Sequence, residues 1–302
     1  MTTWTVQDVC DWMESVYPAV LAEDWDRVGL ICGQPSAPVR KILLALDPVK
    51  EIATEAIEYG ADMVITHHPL YLRGTWTVAA DTPKGAVIHE LITHNCALFN
   101  AHTNADSARG GVADALALAA GLKPEQCLPL IPDPHNPGLG LGRVGNLEAP
   151  TTLEAFTTRL ANNLPPSAGG ILVAGNPDTT IQKVAVSGGS GDSMLETARA
   201  TGADVFVTAD LRHHPASEHL EAGEKPALVV PTHWASEWVW LPQLENQLTQ
   251  HASEHGIDLE VKLSHTVTEP WTRYVATTTQ ENATQENTVQ QTSKEDTREG
   301  NA

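Results

Sequence analysis

Basic residues are scarce in this chain: 18 lysines and arginines stand against 38 aspartates and glutamates, a formal charge of -20 at pH 7. That shortage excludes nucleic acid as a bulk partner, since a polyphosphate is held by a basic footprint. It also excludes docking on an anionic membrane surface. Cysteine is equally sparse. Cys10, Cys32, Cys96 and Cys127 show no paired spacing, which argues against a disulfide framework and against a thiolate zinc site. No apolar run approaches the roughly 20 residues that a membrane helix needs. The stretch MTTWTVQDVCDWMESV has neither a basic head nor an apolar core segment, so it does not read as a signal peptide, and a cytoplasmic location is expected. Its Val6, Val9, Cys10 and Met13 have helical spacing instead.

What is present is a chain of 302 residues, 41% apolar and 19% charged, enough for one large or two ordinary globular domains. From residue 40 onward strands and helices alternate: apolar runs at 41–46, 62–66 and 97–101, with helical periodicity at 49–60, 84–95 and 110–121. That alternation predicts a mostly parallel sheet with helices on its faces. Residues 122–145 carry Pro124, Pro129, Pro132, Pro134 and Pro137 and read as a loop-rich boundary. A second set follows, with helices at 151–164, 193–202, 214–222 and 234–251, and strands at 170–175, 183–189, 204–209, 227–231 and 258–263. The predicted fold class is α/β in two lobes, with mostly parallel or mixed sheets. The first lobe spans 1–125 and is completed by 225–275; the second spans 126–224. From 276 to 302 the chain is polar and rich in Gln, Thr, Glu and Asn, and is expected to be disordered.

Three predicted strands run out into side chains of metal-ligand type. Strand 62–66 leads into His67 and His68, strand 97–101 into His102 and Asp106, and strand 227–231 into His233 and Glu237. In open α/β sheets, sites form beyond the carboxyl ends of parallel strands. If these strands are parallel neighbours, the side chains converge without being close in sequence. His233 and Glu237 are four apart, on one face of a helix starting near Thr232. Taken singly, each has an ordinary reading: paired histidines as surface or core polarity, His-x-x-x-Glu as a helix-face pair, Asp106 as a turn residue. Together they point to a metal centre. Imidazole with carboxylate favours Zn, Fe, Mn, Co or Ni over Ca or Mg. Three histidines and two carboxylates exceed what one tetrahedral ion needs with water in place, and suit two divalent ions. His102 reads equally as ligand, supporting donor or acid/base. SGGSGDS at 187–193 has the look of a tight turn whose amides can cradle a phosphate, and ADLRHH at 209–214 of an element supporting the site. Trp234, Trp238 and Trp240 read as packing residues.

DWDRVGLICG, ADMVITHHPL, AHTNADSARGGVADALA, VAVSGGSGDS, ADVFVTADLRHH and THWASE occur in this order. Over about residues 5–265 the chain thereby resembles the Nif-three-like family, whose members carry the label GTP cyclohydrolase 1 type 2 homologue. The resemblance implies two α/β lobes, a dinuclear metal site in the cleft between them and a toroidal homohexamer. It carries the metal ligands over to His67, His68, Asp106, His233 and Glu237. The chain departs from the family pattern at Arg27, Ala209 and Trp234, none of which is an expected ligand. The expected function is a hydrolase with two divalent ions, acting on a small, anionic, nucleotide-like or purine-like molecule. Asp106, Glu237 and His102 are its expected catalytic residues. The rival expectation is a metal-binding regulatory or metal-handling protein without turnover.

Overall fold

The computed structural model describes residues 2–277; the expected disordered segment 276–302 lies almost wholly outside them. Helix α1 (Val6–Val16) opens the chain. Thr5 and Asp8 cap it reciprocally, the Thr5 hydroxyl accepting from the Asp8 N–H and the Asp8 carboxylate from the Thr5 N–H. Val6, Val9, Trp12 and Met13 form its buried face.

The first sheet takes β1 (Gly29–Cys32), β2 (Lys41–Ala45), β3 (Met63–Thr66) and β4 (Ala97–Asn100). Helices α2 (Lys50–Tyr59) and α3 (Pro83–Thr93) connect them. The short α4 (Thr103–Ser107) and then α5 (Val112–Ala119) follow β4. The second sheet is built from β5 (Arg143–Thr152), β6 (Ile171–Ala174), β7 (Thr180–Ser190), β8 (Val205–Ala209) and β9 (Ala227–Pro231). Its helices are α6 (Leu153–Asn163), α7 (Leu195–Ala200) and α8 (His213–Glu221). Helices α9 (His233–Trp238) and α10 (Leu241–His255) then carry the chain back to β10 (Glu260–Leu263) in the first sheet.

Strand order is β10-β2-β3-β4-β1 in one sheet and β6-β9-β8-β7-β5 in the other. The inner pairings β10–β2, β2–β3, β3–β4, β7–β8 and β8–β9 are parallel. β1, β5 and β6 pair antiparallel at the edges, so both sheets are mixed. Alternate residues of the first sheet face different cores. Leu43, Val64 and Leu98 meet Ile52, Ala56, Val87 and Leu91 of α2 and α3. Leu44, Ile65 and Phe99 meet α1 and α10 through Val9, Met13, Leu244 and Leu248. The second sheet buries Val184, Val186, Val205, Val207 and Val229 against Phe156 and Leu160, and Ala185, Phe206 and Leu228 on its other face. Burying each such aliphatic side chain stabilises the fold by about 1.5–3 kcal/mol. Among the described residues no helix is long and apolar enough to cross a membrane.

Three expectations need correction. Residues 227–231 were expected to return to the first lobe beside 62–66 and 97–101; they lie in the second sheet, between β8 and β6. The register explains why: Val205, Phe206 and Val207 pair in parallel with Ala227, Leu228 and Val229, a continuous apolar match. The single helix expected over 234–251 is two, because Pro242 lacks the N–H to continue a helix and instead sits in the first turn of α10. Residues 143–152 form a strand rather than the end of a loop and a helix start, with Pro150 tolerated because β5 is an edge strand.

Candidate metal centre

β3 ends at Thr66, and its last hydroxyl donates to the His68 carbonyl, turning the chain. The His67 and His68 rings therefore do not take opposite strand faces; their centroids are 5.1 Å apart. β4 ends at Asn100, and α4 presents Asp106 one turn beyond His102. Across the site, the Thr232 hydroxyl caps α9 by accepting from the Ala235 N–H, which sets His233 at the first turn and Glu237 on the same face. The His102 ring lies 5.2 Å from that of His67, and the His233 ring 5.2 Å from that of His68. All five expected ligands, and His102, are thus brought together, with the carboxyl ends of strands in both sheets supplying them.

Donor atoms fall into three overlapping groups, each within 4.8 Å: His67, His68 and His102; His68, His233 and Glu237; His67, Asp106 and Glu237. Each ring is fixed from behind through Nδ1. His67 donates to the Ala101 carbonyl at 2.9 Å, His68 to Asp47 at 2.6 Å, His102 to Asp26 at 3.0 Å and His233 to Asp210 at 2.7 Å. Such partners set the tautomer and leave Nε2 free to act. Asp26 and Asp47 were not singled out from the sequence. Asp26 lies within the DWDRVGL motif, and Asp47 just past β2, at the same strand mouth as His67. Asp210 belongs to the element read as supportive; it holds a left-handed φ of 53°, strain that an aspartate tolerates and that aims its carboxylate at His233.

The centre of the cluster calls for a cation. A carbonyl can only accept, so His67 Nδ1 carries a hydrogen and Nε2 is the atom turned toward the carboxylates. That Nε2 is completely buried, has no hydrogen-bond partner, and lies 3.7 Å from both Asp106 Oδ1 and Glu237 Oε1. With the ring neutral, as a metal ligand must be, all three atoms are acceptors, an arrangement that a positive ion between them satisfies. Glu237 Oε2 lies 2.8 Å from His68 Nε2 and 3.1 Å from His233 Nε2, yet is not hydrogen-bonded. The residues therefore fit metal ions of the imidazole- and carboxylate-binding kind.

Without an ion, the acidic groups hold protons on the His68 and His233 rings instead. Burial opposes charge on His68, but Glu237 and Asp47 push it up to about 10. Burial likewise opposes charge on His233, which Glu237 and Asp210 push up to about 11. Glu237 is fully enclosed; burial raises it, but His233, His67 and His68 hold it well below the usual carboxylate range. Asp106 goes the other way: burial, with Glu237 beside it, raises it. Arg27 turns its guanidinium onto the carbonyls of Asp24 and Asp26.

The glycine-rich stretch at 187–193, expected as a tight turn, runs on as the irregular end of β7 to Ser190 and has a steric role. Gly189 is left-handed, and a Cβ there would sit 2.3 Å from Glu237 Oε1 and 3.3 Å from the His233 ring. Its N–H donates to Ser236 Oγ, which donates to the His233 carbonyl, tying β7 to α9. The tryptophans partly pack as expected: Trp240 is buried against His67 at 5.6 Å and donates to Tyr17 Oη.

Fold and site together define an α/β protein of two mixed sheets whose strand ends carry a cluster able to hold metal ions. Residues 4–270 match the family described as Duf34/NIF3 (NGG1p interacting factor 3). A Streptomyces coelicolor protein named GTP cyclohydrolase 1 type 2 homolog is 49% identical over 280 residues, covering 92% of this chain and 97% of that protein. Among solved structures, a Bacillus cereus protein related to NIF3 superposes with a TM-score of 0.82 at 25% identity, covering 91% of this chain and all of that one. A Staphylococcus aureus hypothetical protein gives 0.81 at 28% identity, covering 90% of this chain and 99% of that one. The chain belongs to the Duf34/NIF3 family.

Proposed function

We propose that the chain is a hydrolase with two divalent metal ions, acting on a small anionic molecule of nucleotide or purine-like type. The observation that carries this reading is the shared use of Glu237, which belongs to two of the three donor groups, with His67 Nε2 unpartnered between two carboxylates. The name borne by the Streptomyces relative supports a nucleotide substrate. His67, His68, Asp106, His233 and Glu237 would hold the ions, with His102 at the edge of the group. Ions bound there supply Lewis acidity and activate water near neutral pH.

The chain's own residues do the rest. Asp106, raised by burial, is suited to take a proton at its carboxylate. His102 is oriented through Nδ1 by Asp26, so its Nε2 can take a proton from the attacking water and pass that proton to the leaving group. Asp47 and Asp210 keep the rings of His68 and His233 from rotating away. A cytoplasmic home fits the four free thiols. Assembly into the homohexamer that the family resemblance implies fits the exposed Trp76, Trp271 and Tyr274, and light scattering on the purified protein tests it.

Elemental analysis followed by a nucleotide and phosphoester screen of the loaded protein tests the activity. Turnover that the Asp106→Ala variant loses supports the reading. Equal turnover by both removes the mechanism. Reversible metal uptake without turnover of any compound favours the metal-handling alternative.

A further inference from the structure

Helix α10 ends on a pattern that the cluster does not use. The stretch HASEH places His251 and His255 four residues apart on one helix face, with Glu254 beside them. Two imidazoles at this spacing on a helix can close on one ion. The rings stack, with centroids 4.1 Å apart and 26° between their planes. His255 Nδ1 donates to the His251 carbonyl at 2.9 Å, so Nε2 is the atom left for a ligand. The His251 ring packs on Trp4 at 5.5 Å and on Trp12 of α1 at 5.8 Å, and neither of its nitrogens is hydrogen-bonded among the described residues. Burial and the neighbouring His255 hold His251 below its ordinary value, in the neutral form that binds metal. The carboxyl end of α10, where its last carbonyls lie, favours a cation. Glu254, held by Gln250 at 2.7 Å, adds negative charge near His251. The scaffold is fixed: the Thr2 N–H donates to the Gly256 carbonyl at 3.0 Å, and the Asp258 N–H to the Thr2 carbonyl at 2.9 Å.

We infer that His251 and His255 form a second metal site, taking a single transition-metal ion of the imidazole-binding kind. Cu(II) is held most tightly there, ahead of Ni(II) and Zn(II). The stack keeps both rings on one side of the helix, so small side-chain rotations point both at one ion. Water fills the remaining coordination positions. In metallopeptidases the same H-x-x-E-H pattern works with a further protein ligand. Among the described residues no third donor joins His251 and His255, so the site binds metal and no peptide hydrolysis follows from it. Neither histidine belongs to the donor groups of the cluster. The site therefore stands apart from the hydrolase reading, and either can fail alone.

The test is titration of the purified full chain with Cu(II), read by equilibrium dialysis, electron paramagnetic resonance and tryptophan fluorescence. One copper per chain is expected beyond what the cluster takes, and Glu237→Gln is expected to retain it. His255→Gln changes an exposed side chain. It is expected to weaken that copper by at least about tenfold, with cluster metal content and melting temperature unchanged. Copper on the pair lies beside Trp4 and Trp12, so the part of the quenching that His255→Gln removes reports it. Acidification through the histidine range is expected to release this copper, since protons compete for both rings. Equal copper uptake by the wild type and His255→Gln overturns the inference. Loss of the extra copper in Glu237→Gln overturns it too, because that copper would then belong to the cluster. A wild type that takes no copper beyond the cluster overturns it without any variant having to fold.

Discussion

His68 Nε2 lies 2.8 Å from Glu237 Oε2, although His68 follows a strand of the first sheet and Glu237 sits on the helix after a strand of the second. One carboxylate thus joins the two halves of the cluster. Glu237→Gln keeps the shape and removes the charge shared by two donor groups. Metal affinity is expected to drop by at least about 100-fold, since removing even a supporting partner of a ligand costs 10–100-fold. Elemental analysis after dialysis checks this, and wild-type metal content in the variant would sink the assignment of Glu237.

Asp47 and Asp210 lie outside the donor groups; they hold the rings of His68 and His233 through Nδ1. Asp47→Asn and Asp210→Asn leave a hydrogen-bond acceptor but lose its charge. Each is expected to weaken metal binding by about 10–100-fold with little change in the fold. Competition with a chelator of known affinity measures the loss. Affinities equal to wild type would show that the rings are held by other contacts.

Gly189→Ala tests the close approach of β7 to the site. The added methyl would meet Glu237 Oε1 and the His233 ring, and the left-handed φ of 65° disfavours any Cβ. The clash pushes Glu237 away from His67 and His68, and the φ preference adds strain to β7. The expected outcome is loss of bound metal at least as large as for Asp47→Asn, with helix and sheet content by circular dichroism unchanged.

Much of this site was legible from strand ends. His67, His68, Asp106, His233 and Glu237 each follow an apolar run, and that local pattern survives in the structure. The error concerned which sheet owns Ala227–Pro231. An apolar strand of five residues carries no mark of its neighbour, and only the pairing with Val205–Val207 decides it. Asp26 and Asp47 are not legible in the sequence, because an isolated aspartate beside a turn reads as turn chemistry until the ring it supports is in view. In the sequence Gly189 reads as turn geometry; its place in β7 and its close approach to Glu237 are tertiary facts that spacing along the chain does not encode.

The metal-free protein should respond to alkali in an unusual direction. His68 and His233 rise from an ordinary 6.5 to about 10 and about 11, because Glu237, Asp47 and Asp210 outweigh the burial that opposes their charge. A group raised on folding adds stability that is complete below its unfolded value and is lost as pH climbs through its folded one. The chelated protein is therefore expected to lose melting temperature progressively between pH 7 and 11, by about 2–4 °C per kcal/mol lost. With metal bound, the ions replace those protons and the loss disappears over the same range. Scanning calorimetry of both forms at matched ionic strength reads the divergence; parallel curves would contradict the cluster's role as a cation site.

A last prediction separates the scaffold from the centre. Arg143 on β5 has no exposed surface; it is ion-paired with Asp114 of α5 and also donates to the carbonyls of Gly140, Gly142 and Ala108. Asp114 additionally accepts from the Gly110 N–H. Asp114→Ala strands a buried guanidinium and is expected to cost about 3–5 kcal/mol. Removing both charges with Arg143→Met and Asp114→Leu should cost less than Asp114→Ala alone, because no uncompensated ion remains. The double variant still falls short of wild type, because four carbonyls, that of Ser107 included, lose their donors at about 1 kcal/mol each. Neither residue is in the donor groups, so metal content should stay at the wild-type value while urea midpoints shift. A double variant less stable than the single one would mean that the carbonyl contacts of Arg143 contribute more to stability than its ion pair with Asp114.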